Sequence, residues 1–148
     1  MSRRVDPELV TYDSLITAAR TVYAEARSES SRGRLAVACC IWNRVRAQSW
    51  WGRTLATVCR KRWQFSCWNA EIPGQPEDSN YRSMMATSVL RLAPYIDAVL
   101  LAQRVANTRR DPSKGACHYH THAASPRWSR GVEPDVIIGG HRFYVGLE

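Results

Sequence analysis

The chain has 148 residues, 45% of them apolar, with a formal charge of +8 and a pI of about 9.7. That length suits one domain with its own core, and that apolar content excludes a disordered chain. No apolar run approaches the roughly 20 residues of a membrane span, and none of the five cysteines forms a C-x-x-C pair, which argues against a zinc ribbon or a thioredoxin-type site.

Residues 1–10 read as a flexible leader, and a single domain is expected over 11–148. The leader begins M-S-R-R but has no apolar h-region, so it is not a secretory signal. The chain is therefore expected to be made in the cytoplasm, with its cysteines reduced. Thr11 or Asp13 can cap a first helix that runs to about Arg27. Leu15, Ala18 and Val22 recur on it at helical spacing, and Glu25 takes the next slot on the same face. A carboxylate in that slot has two readings. Burial would raise its pKa and make it a general acid at neutral pH. The commoner role on such a stripe is structural, in which the side chain pairs with an Arg or reaches past the core to water.

Residues 28–31 form a polar break. A second helix follows from Arg32 to about Gln48, with Ser31 as its N-cap and Leu35, Ala38 or Cys39, Trp42 and Val45 facing inward. The tight turn makes the two helices a hairpin and sets the second against the side of the first that carries Glu25. After the aromatic junction Trp50-Trp51-Gly52, Thr54 caps a short helix from Leu55 to about Arg60. The stretch R-W-Q-F-S-C-W-N over 62–69 alternates like a short strand, with Trp63, Phe65 and Cys67 on one face and Gln64, Ser66 and Trp68 on the other. Residues 70–80 are loop.

From Asp78 or Ser79 a helix is expected to about Leu92, with Met84, Met85, Val89 and Leu92 inward. Pro94 opens another, from Tyr95 to about Asn107, with Ile96, Val99, Leu100 and Val105 inward. Residues 111–115, D-P-S-K-G, are a turn. In the tail, 116–121 and two segments around Gly139-Gly140 read as β, with a loop over 125–128 between them. The sum is an α+β domain, mainly α-helical, with a small β portion.

Cys117, His118, His120 and His122 stand in C-H-Y-H-T-H, and His141 is the fourth histidine. Zinc ligation is one reading. Against it, residues at i, i+2 and i+4 of one strand span roughly 13 Å, so at most two could share an ion, with His141 or a carboxylate completing the set. The other reading is a polar strand whose histidines orient by hydrogen bonds or meet substrate. Cys67 or Cys117 could be a nucleophile, although buried cysteines are ordinarily inert. The positive charge implies an anionic partner, whether nucleic acid, a membrane surface or a wall polymer. The arginines interleave with helix cores and form no recognition helix, which argues against a nucleic-acid module.

Three stretches together resemble the SleB-type cell wall hydrolases, a family that includes spore cortex-lytic enzymes and phage endolysins. They are A-R-T-V-Y-A-E-A-R-S-E leading into G-R-L-A-V-A-C-C-I-W-N-R-V over 19–46, then Q-F-S-C-W-N over 64–69, and finally D-P-S-K-G-A-C-H-Y over 111–119 with I-G-G-H-R-F-Y over 138–144. The resemblance implies a lysozyme-like domain related to lytic transglycosylases, acting on the glycan strand of bacterial peptidoglycan between N-acetylmuramic acid and N-acetylglucosamine. It implies Glu25 as the catalytic acid and a sugar cleft lined by Gln64, Phe65 and Ser66. His118, Tyr119, Trp68 and Trp128 are candidate substrate contacts. Glu29, Arg27, His120 and His141 are read as supports, with Glu29 helping to cap the second helix; as a base activating water, Glu29 would instead make the enzyme a hydrolytic muramidase. Ser28 stands where the family commonly has Gly, a difference that matters if the turn needs positive φ.

No cofactor and no metal ligand is assigned, and the chain is expected to be a monomer with no nucleic-acid partner and no stable membrane association. A phage endolysin that reaches the wall through a membrane lesion is the expected setting. A zinc-dependent amidase using the tail histidines and a non-enzymatic basic binding module are the alternatives.

Overall fold

A computed structural model describes residues 10–147. The predicted leader, except for Val10, lies outside the described residues. Five α-helices come first: α1 (Tyr12–Ala26), α2 (Ser31–Ala47), α3 (Leu55–Arg60), α4 (Ser79–Ala86) and α5 (Ala93–Val105). Three short strands follow: β1 (His118–Thr121), β2 (Val136–Ile138) and β3 (His141–Tyr144). Among the described residues no helix is long and apolar enough to cross a membrane.

The Thr11 hydroxyl accepts from the Ser14 amide at 3.1 Å and starts α1. Ala18, Ala19, Val22 and Ala26 of this helix are fully buried, while Leu15 is half-buried. Its partner α2 is capped by Ser30 rather than Ser31, the Ser30 hydroxyl accepting from Gly33 at 3.2 Å. Helix α2 is the hub of the molecule. Residues 36–45 of it are all buried, and α1, α3 and α5 pack around it. A helix enclosed on so many sides has to be apolar nearly all round. The Trp42 indole keeps its N–H satisfied by donating to the Val99 carbonyl of α5 at 2.8 Å.

Three expectations of local structure change. Residues 62–69 form no strand. Trp63 takes φ +66, which breaks the extended chain, and Ser66–Glu71 wind as a 3-10 helix. Among the described residues no strand pairs with this segment, and the neighbours Cys67 and Trp68 are both buried instead of pointing to opposite faces. Helix α4 stops at Ala86, six residues early, because the Arg20 guanidinium reaches across from α1 to the free carbonyls of Met84 and Thr87. Met85 and Val89 are consequently exposed, while Leu92 stays in the core. Arg46 closes α5 in the same way on the carbonyls of Gln103 and Ala106. In α5, Leu100 is exposed, Ile96 and, in α2, Leu35 are half-buried, and Tyr95 and Ala102 fill the inward positions with Val99 and Val105.

The strands pair antiparallel in the order β1-β3-β2, with Tyr119 and Val136 both opposite Phe143. What aims β1 is the turn before it. Asp111 is buried and accepts from the amides of Asn107 (2.8 Å), Ser113 (2.8 Å) and Gly115 (3.1 Å), from the Ser113 hydroxyl (2.6 Å) and from Asn43 Nδ2 (3.0 Å). Burial works to raise the Asp111 pKa, but these hydrogen bonds outweigh it and the carboxyl lies below its ordinary value. Asp111→Ala strands those donors in the interior. It is expected to lower unfolding free energy in urea by about 3–5 kcal/mol, against about 1 kcal/mol for Ser113→Ala.

Candidate active site

Glu25 sits on the last turn of α1, half-buried, on the face that the stripe predicts. Groups from four elements share its electrostatic surroundings: Arg44 of α2, Cys59 of α3, Cys67 of the 3-10 turn and Tyr119 of β1. Burial raises its pKa from 4.5 to about 6, against the smaller pull of the Tyr119 hydroxyl and the Arg44 charge. The Tyr119 hydroxyl is buried and faces the carboxyl, yet reaches hydrogen-bond geometry with no described residue. Burial, and then the Glu25 charge, push its own pKa well above 10. It therefore stays protonated, a donor beside the acid.

The second carboxylate on the motif is committed elsewhere. Ser30 caps α2, and Glu29 turns instead to the β2–β3 turn. The Gly140 amide donates to both its oxygens, at 3.1 and 3.3 Å, and His141 Nδ1 lies 3.7 Å away. A side chain at either glycine of this turn would displace the Glu29 carboxylate, and Gly139 also takes φ +54. A Cβ on Gly139 would stand 2.0 Å from Glu29 Oε2, and one on Gly140 2.8 Å from Oε1. The His141 pKa is lowered by burial, partly offset by Glu29, so the ring is held toward its neutral form. Ser28 is not among the residues with positive φ, so the E-A-R-S-E turn does not require glycine there.

The sheet divides the histidine motif between two faces. Tyr119, His141 and Phe143 face the helices, with the Tyr119 ring 5.1 Å from His141 and 5.6 Å from Phe143. His118 and His120 point the other way, onto Trp128 at 5.0 and 5.7 Å. His118 thus packs between Trp51 and Trp128 rather than against Glu25. Trp128 belongs to this outer face too, edge-on to Tyr144 at 5.2 Å, and is not in the Glu25 cleft. His120 bonds the Tyr144 hydroxyl at 2.7 Å. His122 is exposed beyond the strand, bonded to Arg142 and near the Gly139 carbonyl. Among the described residues no three His, Cys, Asp or Glu side chains converge with metal-ligand geometry.

Other sequence candidates also resolve. Trp68 is buried, its indole N–H donating to the Thr21 hydroxyl at 2.9 Å, so it is core and not a sugar platform. Phe65 is buried as well, under the Arg44 guanidinium and 6.5 Å from the Tyr119 ring. Gln64 is half-buried and Ser66 exposed, and neither side chain is hydrogen-bonded to a described residue. Arg27 is exposed and bonds Asn80 at 2.6 Å. The thiols of Cys67 and Cys117 are pushed up by burial, which leaves neither as a nucleophile.

Arg44 is the residue that sequence reasoning passed over. Its Nε donates to the Cys117 carbonyl at 2.7 Å, and its guanidinium lies over Trp51 and Phe65. The available signal was the polar pair Asn43-Arg44 inside an otherwise apolar helix.

Comparison with known proteins bears on the fold and the family. A family model described as Cell Wall Hydrolase matches residues 28–144 and so begins just after Glu25. No curated protein sequence matches. Among solved structures, the catalytic domain of the Bacillus cereus SleB protein superposes with a TM-score of 0.67 at 24% identity, over 96% of this chain and 97% of that one. A structure described as the catalytic domain of germination-specific lytic transglycosylase SleB from Bacillus anthracis gives 0.63 at 23% identity, over 94% and 99%. The two likenesses establish the SleB-type fold. With most of its length matched by the family model, the chain belongs to the cell wall hydrolase family.

Proposed function

We propose that this cell wall hydrolase cuts the glycan strand of peptidoglycan between N-acetylmuramic acid and N-acetylglucosamine, as a lytic transglycosylase with Glu25 as its one acid and base. The observation that carries the proposal is a half-buried Glu25 with a pKa of about 6, while Glu29 is spent on the Gly140 amide. Two-carboxylate glycosidases need both groups free to flank the bond. One carboxyl suffices if the sugar supplies its own acceptor.

The chemistry then balances without water. The Glu25 proton passes to the glycosidic oxygen as the bond from it to the anomeric carbon breaks. The developing oxocarbenium charge faces the new Glu25 carboxylate. The muramic acid 6-hydroxyl attacks the anomeric carbon and returns its proton to Glu25, which closes a 1,6-anhydro ring and restores the acid. Tyr119, a protonated donor at the carboxyl, would hold the oxygen that is not exchanging a proton. The SleB structure described as a lytic transglycosylase supports the same outcome. No observation favours the zinc amidase or muramidase readings, since the histidines diverge and Glu29 is engaged.

For the setting, we propose an endolysin that meets the wall once the membrane is breached, a reading supported by the basic charge. Expression inside a host should cause no lysis until the membrane is permeabilised, and lysis without permeabilisation would contradict it.

Glu25→Gln is expected to lower clearing of purified peptidoglycan by about 10²–10⁴-fold; clearing at the wild-type rate would refute the assignment. In the wild type, kcat/KM should fall as pH rises through about 6, where Glu25 loses its proton.

The same shift predicts a stability effect. A folded pKa of about 6 against an ordinary 4.5 means that the folded state holds this proton more tightly than the unfolded state. That contribution is complete below 4.5 and is lost as pH rises through about 6. Glu25→Gln should therefore match wild-type stability at pH near 4 and exceed it by up to about 2 kcal/mol at pH near 8, measured by urea unfolding.

A further inference from the structure

Residues 60–63, R-K-R-W, are not explained by the fold. Trp63 is 61% exposed, in a chain that buries Trp42, Trp51 and Trp68. It also holds φ +66, a conformation that a bulky L residue adopts only under strain. Strain of this kind persists where the surroundings impose it, and it concentrates at ligand sites. The segment's place in the fold is specific. Cys59 precedes it and Cys67 follows it, both are buried, and the Glu25 charge acts on both thiols. The loop therefore leaves the buried layer that holds the acid, exposes residues 60–63 and returns to that layer.

Its side chains line a small pocket of about 170 Å³ with Trp68, Asn69 and Ile72. Asn69 Oδ1 is buried there without a hydrogen-bond partner. Arg60 is already used, lying over the Trp68 ring at 4.6 Å and pairing with Glu71 at 3.4 Å. Lys61 and Arg62 are exposed, and their side chains bond no described residue. An exposed aromatic face with two cations beside it fits a sugar ring that carries a carboxylate.

Resting on the glycan-strand reading above, we infer that residues 61–63 form a subsite for an acidic sugar of that strand. Trp63 stacks on the ring, and Lys61 and Arg62 meet a carboxylate, either the lactyl group of a muramic acid that carries no stem peptide or a carboxylate of the stem peptide itself. The left-handed backbone at residue 63 keeps the indole out of the core and available to the strand. A competing occupant for an aromatic and basic knuckle is an anionic membrane. The loop's bracketing by two buried thiols on which the Glu25 charge acts favours the glycan.

The test uses the whole chain. Trp63→Asn removes the ring while keeping a residue type that tolerates positive φ. Its Tm should equal or exceed the wild type, while KM for solubilised peptidoglycan rises about tenfold with kcat within about twofold. Trp50→Ala, which removes an exposed Trp elsewhere, should change neither. For the cations, Lys61→Glu/Arg62→Glu in the Glu25→Gln background is titrated by calorimetry. Weaker binding to peptide-free glycan identifies the lactyl carboxylate, and weaker binding to stem-bearing fragments alone identifies the peptide. Binding to chitin oligosaccharides, which are neutral, should be unchanged. An unaltered KM in Trp63→Asn overturns the subsite, as does a loss of binding to phosphatidylglycerol vesicles with KM unaltered. If Glu25→Gln remained active, the assignment of the acid would fall, while the KM comparison at Trp63 would still be decided separately.

Discussion

Two polar side chains buried on α2 hold the site together. Asn43 donates to Asp111 and to the Ala116 carbonyl, both at 3.0 Å, and Arg44 donates to the Cys117 carbonyl at 2.7 Å. Together they clamp 111–117 against the central helix, and this segment launches β1. Two residues beyond the clamp, β1 delivers Tyr119 to the Glu25 carboxyl. Burying an amide and a guanidinium inside a helix hub is costly unless each finds partners. Here Asn43 Nδ2 and Arg44 Nε find theirs in the main-chain carbonyls and the aspartate that fix the turn, while Asn43 Oδ1 and Arg44 Nη1 are buried with no partner among the described residues.

The electrostatics of the acid follow from that arrangement. The carboxyl lies among thiols, a phenol and one guanidinium, so burial is the leading influence and the proton is retained to about pH 6. A second tie, from Glu29 to Gly140, pins the β2–β3 turn to the start of α2 and takes the other carboxylate of the E-A-R-S-E turn out of the chemistry. Some of the positive charge is internal as well. Arg20, Arg44 and Arg46 close helices and turns by donating to main-chain carbonyls, so the excess charge is not simply a surface for anions.

Features set by local chemistry were legible in the sequence. The helical stripe found Glu25, Thr54 caps α3 as expected, and Gly139-Gly140 marked the β2–β3 turn. Features set by tertiary contacts were not. Alternation over 62–69 looked like a strand, but among the described residues no strand pairs with it, and Trp68 is drawn inward by the Thr21 hydroxyl. Helix α4 carried an apolar pattern to Leu92, yet Arg20, distant in sequence, takes the carbonyls of Met84 and Thr87 and the helix ends at Ala86. Period two correctly separated the faces of C-H-Y-H-T-H. It could not say that the face meeting Glu25 is that of Tyr119, because this depends on which side of the sheet the helices cover. Trp63 carried no sequence signal of its left-handed backbone.

The central claim is that one carboxyl, with the sugar's own hydroxyl as acceptor, completes the reaction. Digestion of purified peptidoglycan in heavy-oxygen water, followed by mass spectrometry of the fragments, tests it most directly. The account predicts 1,6-anhydromuramic acid ends with no heavy oxygen incorporated. Reducing ends that carry heavy oxygen would make water the acceptor, and stem peptides freed from intact glycan would move the cut off the glycan strand; either result would contradict it.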